Sequence, residues 1–516
     1  MSWSWLKMRI KIRSLMIIAI SATIILALAT RVTSLNEPGF TCDEITYVEA
    51  GIKYLKYFDF EYNVEHPPLA KYLIGLSVLA LGTTEFSARL PIAILGTLTC
   101  LIVFFLAKEL YDQYTALLSS ILIALSTYHI AHSRVATLDV PLTFFYVLTI
   151  LLFWKGLKNR WYLLFSGIAL GLAVATKYTG IYLYFIIGAY LIIYENLIKY
   201  RHSILSINLS KELLVAVFLS IATFIVVAPF LLSSSISVTY LDLEVPLITK
   251  SVYRNFHHLQ TGHANYFIGE VTNTPPPWFY LVYLTFRLTI PMIIFFGLGL
   301  AYALYKRSRQ EVLLLLWILI PLGIFSFQKV KLLHYLVPII PPLCILAARS
   351  MVVIISVLRN RTKKLIGLTI VLALIIWQAL IVYSTHPYYL LYFNEFAGGP
   401  VGATRYFTIG WGEGLREAAH YVETYISSNE KVASFYNHLV SFYCQCEVLP
   451  FPKSLQEIEE NNVKYVIVYL NQLQRYSNKP VIRYLSQLQP EKIIYIREVP
   501  LVWIYRISQN SSHISS

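Results

Sequence analysis

"LAKYLIGLSVLALG", residues 69–82, is the stretch on which the topology turns. It is apolar, but its length of about 14 residues falls short of the roughly 20 that a membrane-spanning helix needs. Read as a span, it would reverse the side of the membrane on which every later loop lies. Longer apolar runs stand at 14–31, 90–107, 115–131, 141–155, 161–176, 178–195, 212–232, 278–304, 311–327, 335–357 and 365–383. With 69–82 left out, one set of short connections (1–13, 108–113, 155–160, 195–211, 305–310 and 358–364) carries eighteen Lys and Arg residues. The opposite short connections carry four: Arg134, Lys177, Lys329 and Lys331. Basic loops belong in the cytoplasm, so 69–82 reads as an interfacial or re-entrant helix. Eleven spans follow, with the N-terminus cytoplasmic and the C-terminus outside.

Composition agrees with a polytopic membrane protein. Of 516 residues, 57% are hydrophobic and 14% charged, against roughly 25% charged in a soluble domain; the mean hydropathy is +0.60. The net charge of +14 sits in the short loops that topology demands, which argues against nucleic acid as a partner. "KMRIKIRS" before the first apolar run reads as the flank of an uncleaved signal anchor. The five cysteines do not make a disulfide framework. Two domains are expected: a transmembrane domain over 1–383, with outer loops at 32–89 and 233–277, and a small extracytoplasmic α/β domain over 384–516. The latter follows from alternating segments such as "KVASFY" and "KYVIVYL" between the amphipathic stretches "GLREAAHYVETYISS" and "SLQEIEENN".

Ionisable groups at membrane depth are costly and mark functional sites when they recur on one side. On the outer side stand Asp43, Glu44, Glu65, His66, Lys71, Arg89, Arg134, Asp139, Lys177, Lys329, Lys331 and His334. Acids followed by cations at the outer ends of several helices suit a reaction in which an anionic group departs. A carboxylate takes a proton from a nucleophile, and cations stabilise the phosphate that forms. Each member also has a structural reading. Thr41 or Asp43 can cap the helix that follows, Arg134 and Asp139 can pair with one another, and Lys177 can snorkel to the headgroups. Lys329 and Lys331 can be interface anchors. The prolines of "EHPPLAK" set a rigid approach to the 69–82 helix.

Several motifs occur in order: "DE" at 43–44, "EHPPLAKYLIG" at 65–75, "FSARLP" at 86–91, "SRVATLDVPLTFF" at 133–145 and "ATKYTGIYL" at 175–183. This series resembles the protein O-mannosyltransferases and their relatives that transfer aminoarabinose to lipid A, membrane glycosyltransferases of the GT-C fold. "KVKLLHYLVPIIPPL" (329–343) and "YFNEFAGGPVGATRYFTIGWGEGL" (392–415) extend the resemblance. It implies an all-α polytopic GT-C protein of about eleven transmembrane helices, with interfacial helices in the first outer loop, in the cell membrane. It also implies inverting transfer of one sugar from a polyprenyl- or dolichyl-phosphate carrier to a protein, lipid or glycan acceptor. On that resemblance Asp43 is the general base, with Glu44 as its acidic neighbour and Asp139 in a second acidic motif. His66 and Arg89 then stand near the donor, Arg134 shares the second acidic motif with Asp139, Lys177 and Lys329 are the phosphate-contact candidates, and Lys71 and Lys331 are further candidates for substrate binding. No cofactor is required, although a divalent cation is compatible with the acids.

The second outer loop contains "FHHLQTGHANYFIG" and "NTPPPWFYL". His257, His258 and His263 lack the spacing of a zinc motif. The loop is similar to the Gly-His…Gly…Pro-Trp loop that many members of the resembled family carry over their site, which implies a lid in which His263 touches substrate; Trp278 is either a sugar-stacking residue or part of an interfacial aromatic belt. Cys444 and Cys446 form a lone C-x-C, and Asn510 lies in an N-S-S sequon. Two other functions compete. A transporter or flippase of lipid-linked sugars would need ionisable groups at mid-membrane and repeated halves. An oligosaccharyltransferase would carry Trp-Trp-Asp where this chain has "GWGEGL".

Overall fold

The computed structural model describes residues 3–193, 211–232, 234–235, 245–261, 264–427 and 430–507. His263 and the sequon at Asn510 lie outside the described residues. The chain is mostly helical, with a C-terminal sheet.

The N-terminal helix α1 (Trp3–Val32) leads into the first loop, which folds as α2 (Cys42–Ile52) and α3 (Leu69–Leu81). The decisive stretch is therefore a helix of 13 residues, below spanning length. It crosses α2 where Gly51 meets Gly75, and a Cβ on either glycine would overlap the main chain of the other helix. Next come α4 (Glu85–Leu110), α5 (Gln113–Ala124), α6 (Thr127–Ser133), α7 (Asp139–Gly156), α8 (Trp161–Thr176), α9 (Tyr182–Tyr190) and α10 (Lys211–Val227). The second loop contributes α11 (Leu247–Thr261), and the bundle closes with α12 (Phe279–Arg287), α13 (Ile290–Lys306), α14 (Arg309–Phe327), α15 (Ile340–Val357) and α16 (Arg361–Thr385).

Six described helical segments are long and apolar enough to cross a membrane: 13–32, 85–110, 139–156, 309–327, 333–357 and 361–385. The expected run at 115–131 is not straight. It breaks into α5 and α6, bent by 59°, because Ser126 leaves the helix and caps α6 by accepting the His129 N–H. The run at 278–304 likewise splits into α12 and α13, where Thr289 and the following Pro291 start a new helix. The runs at 161–176 and 178–195 form shorter apolar helices.

Beyond α16 the chain winds through short turns and α17 (Gly399–Ala403) to α18 (Leu415–Tyr425), α19 (Asn437–Tyr443) and a five-stranded sheet. Its strands are β1 (Lys431–Ser434), β2 (Val448–Pro450), β3 (Val463–Tyr469), β4 (Lys492–Ile496) and β5 (Val499–Arg506), in the order β2-β1-β3-β5-β4. β1 runs parallel to β2 and β3, and β5 runs antiparallel to β3 and β4. The two alternating stretches read from sequence are thus β1 and the central, almost wholly buried β3. Cys444 and Cys446 are joined to each other as a disulfide.

Candidate active site

Of the two adjacent acids at the start of α2, one builds the loop and the other is left open. Glu44 is fully buried. It accepts two hydrogen bonds from Arg89, Nε and Nη2 each at 2.7 Å, and the Thr41 and Ala136 N–H groups, also each at 2.7 Å. Arg89 spends its remaining hydrogens on the carbonyls of Leu35 at 2.9 Å, Pro38 at 2.7 Å and Gly39 at 2.9 Å. This bidentate pair ties the first loop to α4 and to the turn before α7. The α2 cap is therefore closed by Glu44, and Asp43 makes no hydrogen bond or ion pair among the described residues.

Asp139, the first residue of α7, pairs with Lys177 at the end of α8, Oδ1 to Nζ 2.7 Å, with both side chains almost fully buried. The Lys177 ammonium also lies 4.9 Å from the centre of the Tyr335 ring. Asp43 feels this pair directly. Burial raises its carboxyl from 3.8 to about 6; Lys177 opposes the rise, while Asp139 and Glu44 add to it. Tyr47 and Tyr335 are within electrostatic reach of both Asp43 and Asp139, and the His66 ring stands 6.2 Å from that of Tyr47. Asp43, Asp139, Lys177 and His66, drawn from four stretches of sequence, share one neighbourhood.

Other expected site residues hold the scaffold instead. Arg134 does not pair with Asp139. It donates to the carbonyls of Thr30 (3.2 Å), Arg31 (3.2 Å), Thr33 (2.7 Å), Ser34 (2.7 Å) and Glu37 (3.3 Å), closing the C-terminal end of α1. Lys71 is fully buried and donates to the carbonyls of Asn63 and His66 and to the Tyr54 hydroxyl. Lys331 donates to the carbonyls of Phe325 at 2.8 Å and Ser326 at 2.5 Å. Buried cations need partners, and main-chain carbonyls at helix ends supply them here. Arg89 and Lys71 thus have their donors spent, Arg134 and Lys331 are turned to main-chain carbonyls, and Glu44 is held by four donors. Lys329, two residues away, is exposed and makes no hydrogen bond or ion pair among the described residues.

Two site residues had no role on the sequence reading, His132 and Trp411, while His334 stood there only as one of the outer-side ionisable groups. His334 stacks on Trp411 with ring centres 5.2 Å apart and planes 9° from parallel. His132 lies within electrostatic reach of Asp139, His334 and Lys177. Trp411 arrives from the C-terminal segment on a turn of three glycines with positive φ, Gly410 (87°), Gly412 (133°) and Gly414 (88°). Its carbonyl accepts the Cys42 N–H at 2.9 Å. The buried Glu413 carboxylate accepts the Trp411 N–H at 2.6 Å and the Tyr469 hydroxyl at 3.1 Å. The glycine-spaced "GWGEG" was the available signal. Trp278, the expected stacking residue, instead packs on Phe267 with ring centres 5.1 Å apart. Among the described residues no group of three or more His, Cys, Asp or Glu is placed to hold a metal ion.

The fold is similar to that of solved GT-C proteins. Two solved structures superpose over nearly the whole chain: ArnT from Cupriavidus metallidurans bound to undecaprenyl phosphate, with a TM-score of 0.56, 15% identity and coverage of 94% of this chain and 97% of that one, and the Archaeoglobus fulgidus oligosaccharyltransferase, with a TM-score of 0.59, 14% identity and coverage of 90% and 72%. Residues 65–233 match the family of dolichyl-phosphate-mannose-protein mannosyltransferases. An undecaprenyl phosphate-alpha-4-amino-4-deoxy-L-arabinose arabinosyl transferase of Pseudomonas fluorescens is 24% identical over 298 residues, 56% of this chain and 50% of that protein. A dolichyl-phosphate-mannose–protein mannosyltransferase of Candida albicans is 28% identical over 202 residues, 33% of this chain and 26% of that protein. The matches to the first curated relatives span about half of their length. The chain is thus similar, in sequence and in fold, to the protein O-mannosyltransferase and aminoarabinose-transferase superfamily.

Proposed function

We propose that this protein is an inverting glycosyltransferase that moves one sugar from a polyprenyl-phosphate carrier to a hydroxyl acceptor at the outer leaflet. The observation that carries this reading is the isolation of Asp43. Around it, Glu44 is paired with Arg89 and Asp139 with Lys177, while the Asp43 carboxyl makes no hydrogen bond or ion pair among the described residues and is raised by burial to about 6. A base with a pKa just below neutral is ionised and still basic enough to take a proton. The acceptor oxygen attacks the anomeric carbon, its proton passes to Asp43, and the bond from that carbon to the phosphate oxygen breaks from the opposite face. The departing polyprenyl phosphate meets Lys329 and His66, which supply positive charge or hydrogen bonds. Lys177, held by Asp139, keeps Asp43 ionised. No metal takes part in this scheme.

Orientation follows the charge of the loops. With the N-terminus cytoplasmic, the end of α1, the start of α7 and the end of α8 face outward together with Asp43 and the C-terminal sheet. A transporter would place ionisable groups at the centres of its spans. Here Arg31 lies one residue from the end of α1, Asp139 opens α7, and Arg89 sits near the start of α4.

Asp43→Asn tests the reading. Because Asp43 makes no hydrogen bond or ion pair among the described residues, the variant is expected to insert and unfold as wild type does, and transfer of label from polyprenyl-phosphate sugars to drop by about 10²–10⁴-fold. Wild-type transfer in the variant would remove Asp43 from the chemistry.

A further inference from the structure

Trp411 is built into the site from an unexpected direction. Its side chain is half-buried and lies flat on His334, while His132 meets it edge-on at 6.2 Å and His334 at 6.4 Å. On one flank its carbonyl binds the main chain of Cys42, the neighbour of Asp43. On the other, His334 adjoins Tyr335, whose ring carries the Lys177 ammonium. The indole N–H makes no hydrogen bond among the described residues. The result is a half-open aromatic face with an N–H at its edge and an imidazole behind it, next to the base.

That chemistry suits one class of ligand. The C–H face of a sugar ring packs on an aromatic surface, while its hydroxyls find polar groups at the rim. An acceptor phosphate would need a cation of its own here; Arg89 and Lys71 are spent on carbonyls and Glu44, Arg134 is turned to the carbonyls at the end of α1, Lys177 is paired with Asp139, and Lys329 is the cation assigned to the donor phosphate. A base must touch the group it deprotonates, so a wall fastened to the base's own turn faces the acceptor. We propose that Trp411, backed by His334, is the platform for the acceptor, and that the acceptor is itself a sugar ring, as in a glycan or glycoside. This rests on the transferase reading above. The covalent step is unchanged: the sugar acceptor's hydroxyl loses its proton to Asp43, forms the new glycosidic bond and expels polyprenyl phosphate.

The experiment has two arms on the full chain in proteoliposomes. In the first, radiolabelled polyprenyl-phosphate sugars are offered with an alkyl glycoside, a Ser/Thr peptide or a lipid phosphate. Label is expected in the glycoside. Trp411→Ala is expected to raise the KM for the glycoside about tenfold with the donor KM unchanged, and Trp411→Phe to recover most of the loss. Label entering the peptide or the lipid phosphate instead, or an unchanged glycoside KM in Trp411→Ala, would overturn the proposal. In the second arm, alkyl glycoside is titrated without donor and tryptophan fluorescence is followed. Quenching that disappears in Trp411→Phe supports the platform even if no donor turns over, which would count against the transferase reading alone. Absence of that quenching overturns the platform.

Discussion

Lys177 Nζ lies 2.7 Å from Asp139 Oδ1, and this buried pair sets part of the electrostatic field in which Asp43 titrates. Burial raises the Asp43 carboxyl to about 6, so its basic form is lost as pH falls through that value. The transfer rate is therefore expected to be level above pH ~6.5 and to fall about tenfold per pH unit well below 6. The two partners act with opposite signs. Asp139→Asn removes a negative charge and leaves Lys177 unopposed, which moves the acid limb to lower pH. Lys177→Met removes the positive charge and moves it higher, each by ~0.5–1 unit. A pH–rate profile on the three proteins measures both directions, and shifts of the same sign would break the link to Asp43.

The Glu44–Arg89 pair concerns stability. Arg89→Met leaves a buried carboxylate with only main-chain donors and is expected to cost ~3–5 kcal/mol, read as a lower thermal midpoint in detergent. Replacing both partners, Glu44→Leu with Arg89→Met, removes the orphaned charge and is expected to recover part of that loss. A double variant as unstable as the sum of the singles would show that the pair has no coupling of its own.

Lys329 makes the opposite case. It is exposed and makes no hydrogen bond or ion pair among the described residues, so Lys329→Ala is expected to change stability by no more than ~0.5 kcal/mol. If it meets the donor phosphate, the donor KM rises about tenfold while the acceptor KM stays constant. Steady-state kinetics with each substrate varied in turn separates the two.

The sequence carried much of this because charge and length act locally. The shortness of 69–82 and the distribution of basic loops follow from membrane physics, and the helix α3 is as short as that argument requires. Asp43, Asp139 and Lys177 were legible as outer-side ionisable groups, and the structure brings them together. Their division of labour was not legible. Whether a buried cation meets a carboxylate or a row of carbonyls depends on how α1 ends and where the first loop crosses α4, which no local pattern encodes. Arg134 and Lys71 illustrate this, since each donates to main-chain carbonyls and to no carboxylate. Trp411 was missed because its neighbours are remote in sequence: Cys42 lies 369 residues away. The breaks at Ser126 and Thr289 were hidden inside continuous apolar runs, where a single polar residue gives a weak signal.

The C-terminal segment is fastened to the Asp43 turn at more than one point. Tyr443 accepts the Phe40 N–H at 2.6 Å and donates to Glu85 at 2.6 Å, and Arg416 joins Glu37 to Glu85. Swapping this half of the protein for that of a relative would consequently transplant more than a preference for one acceptor. It would also re-aim the Asp43 carboxylate, so a working chimaera must carry residues 36–44 and Glu85 across with the graft.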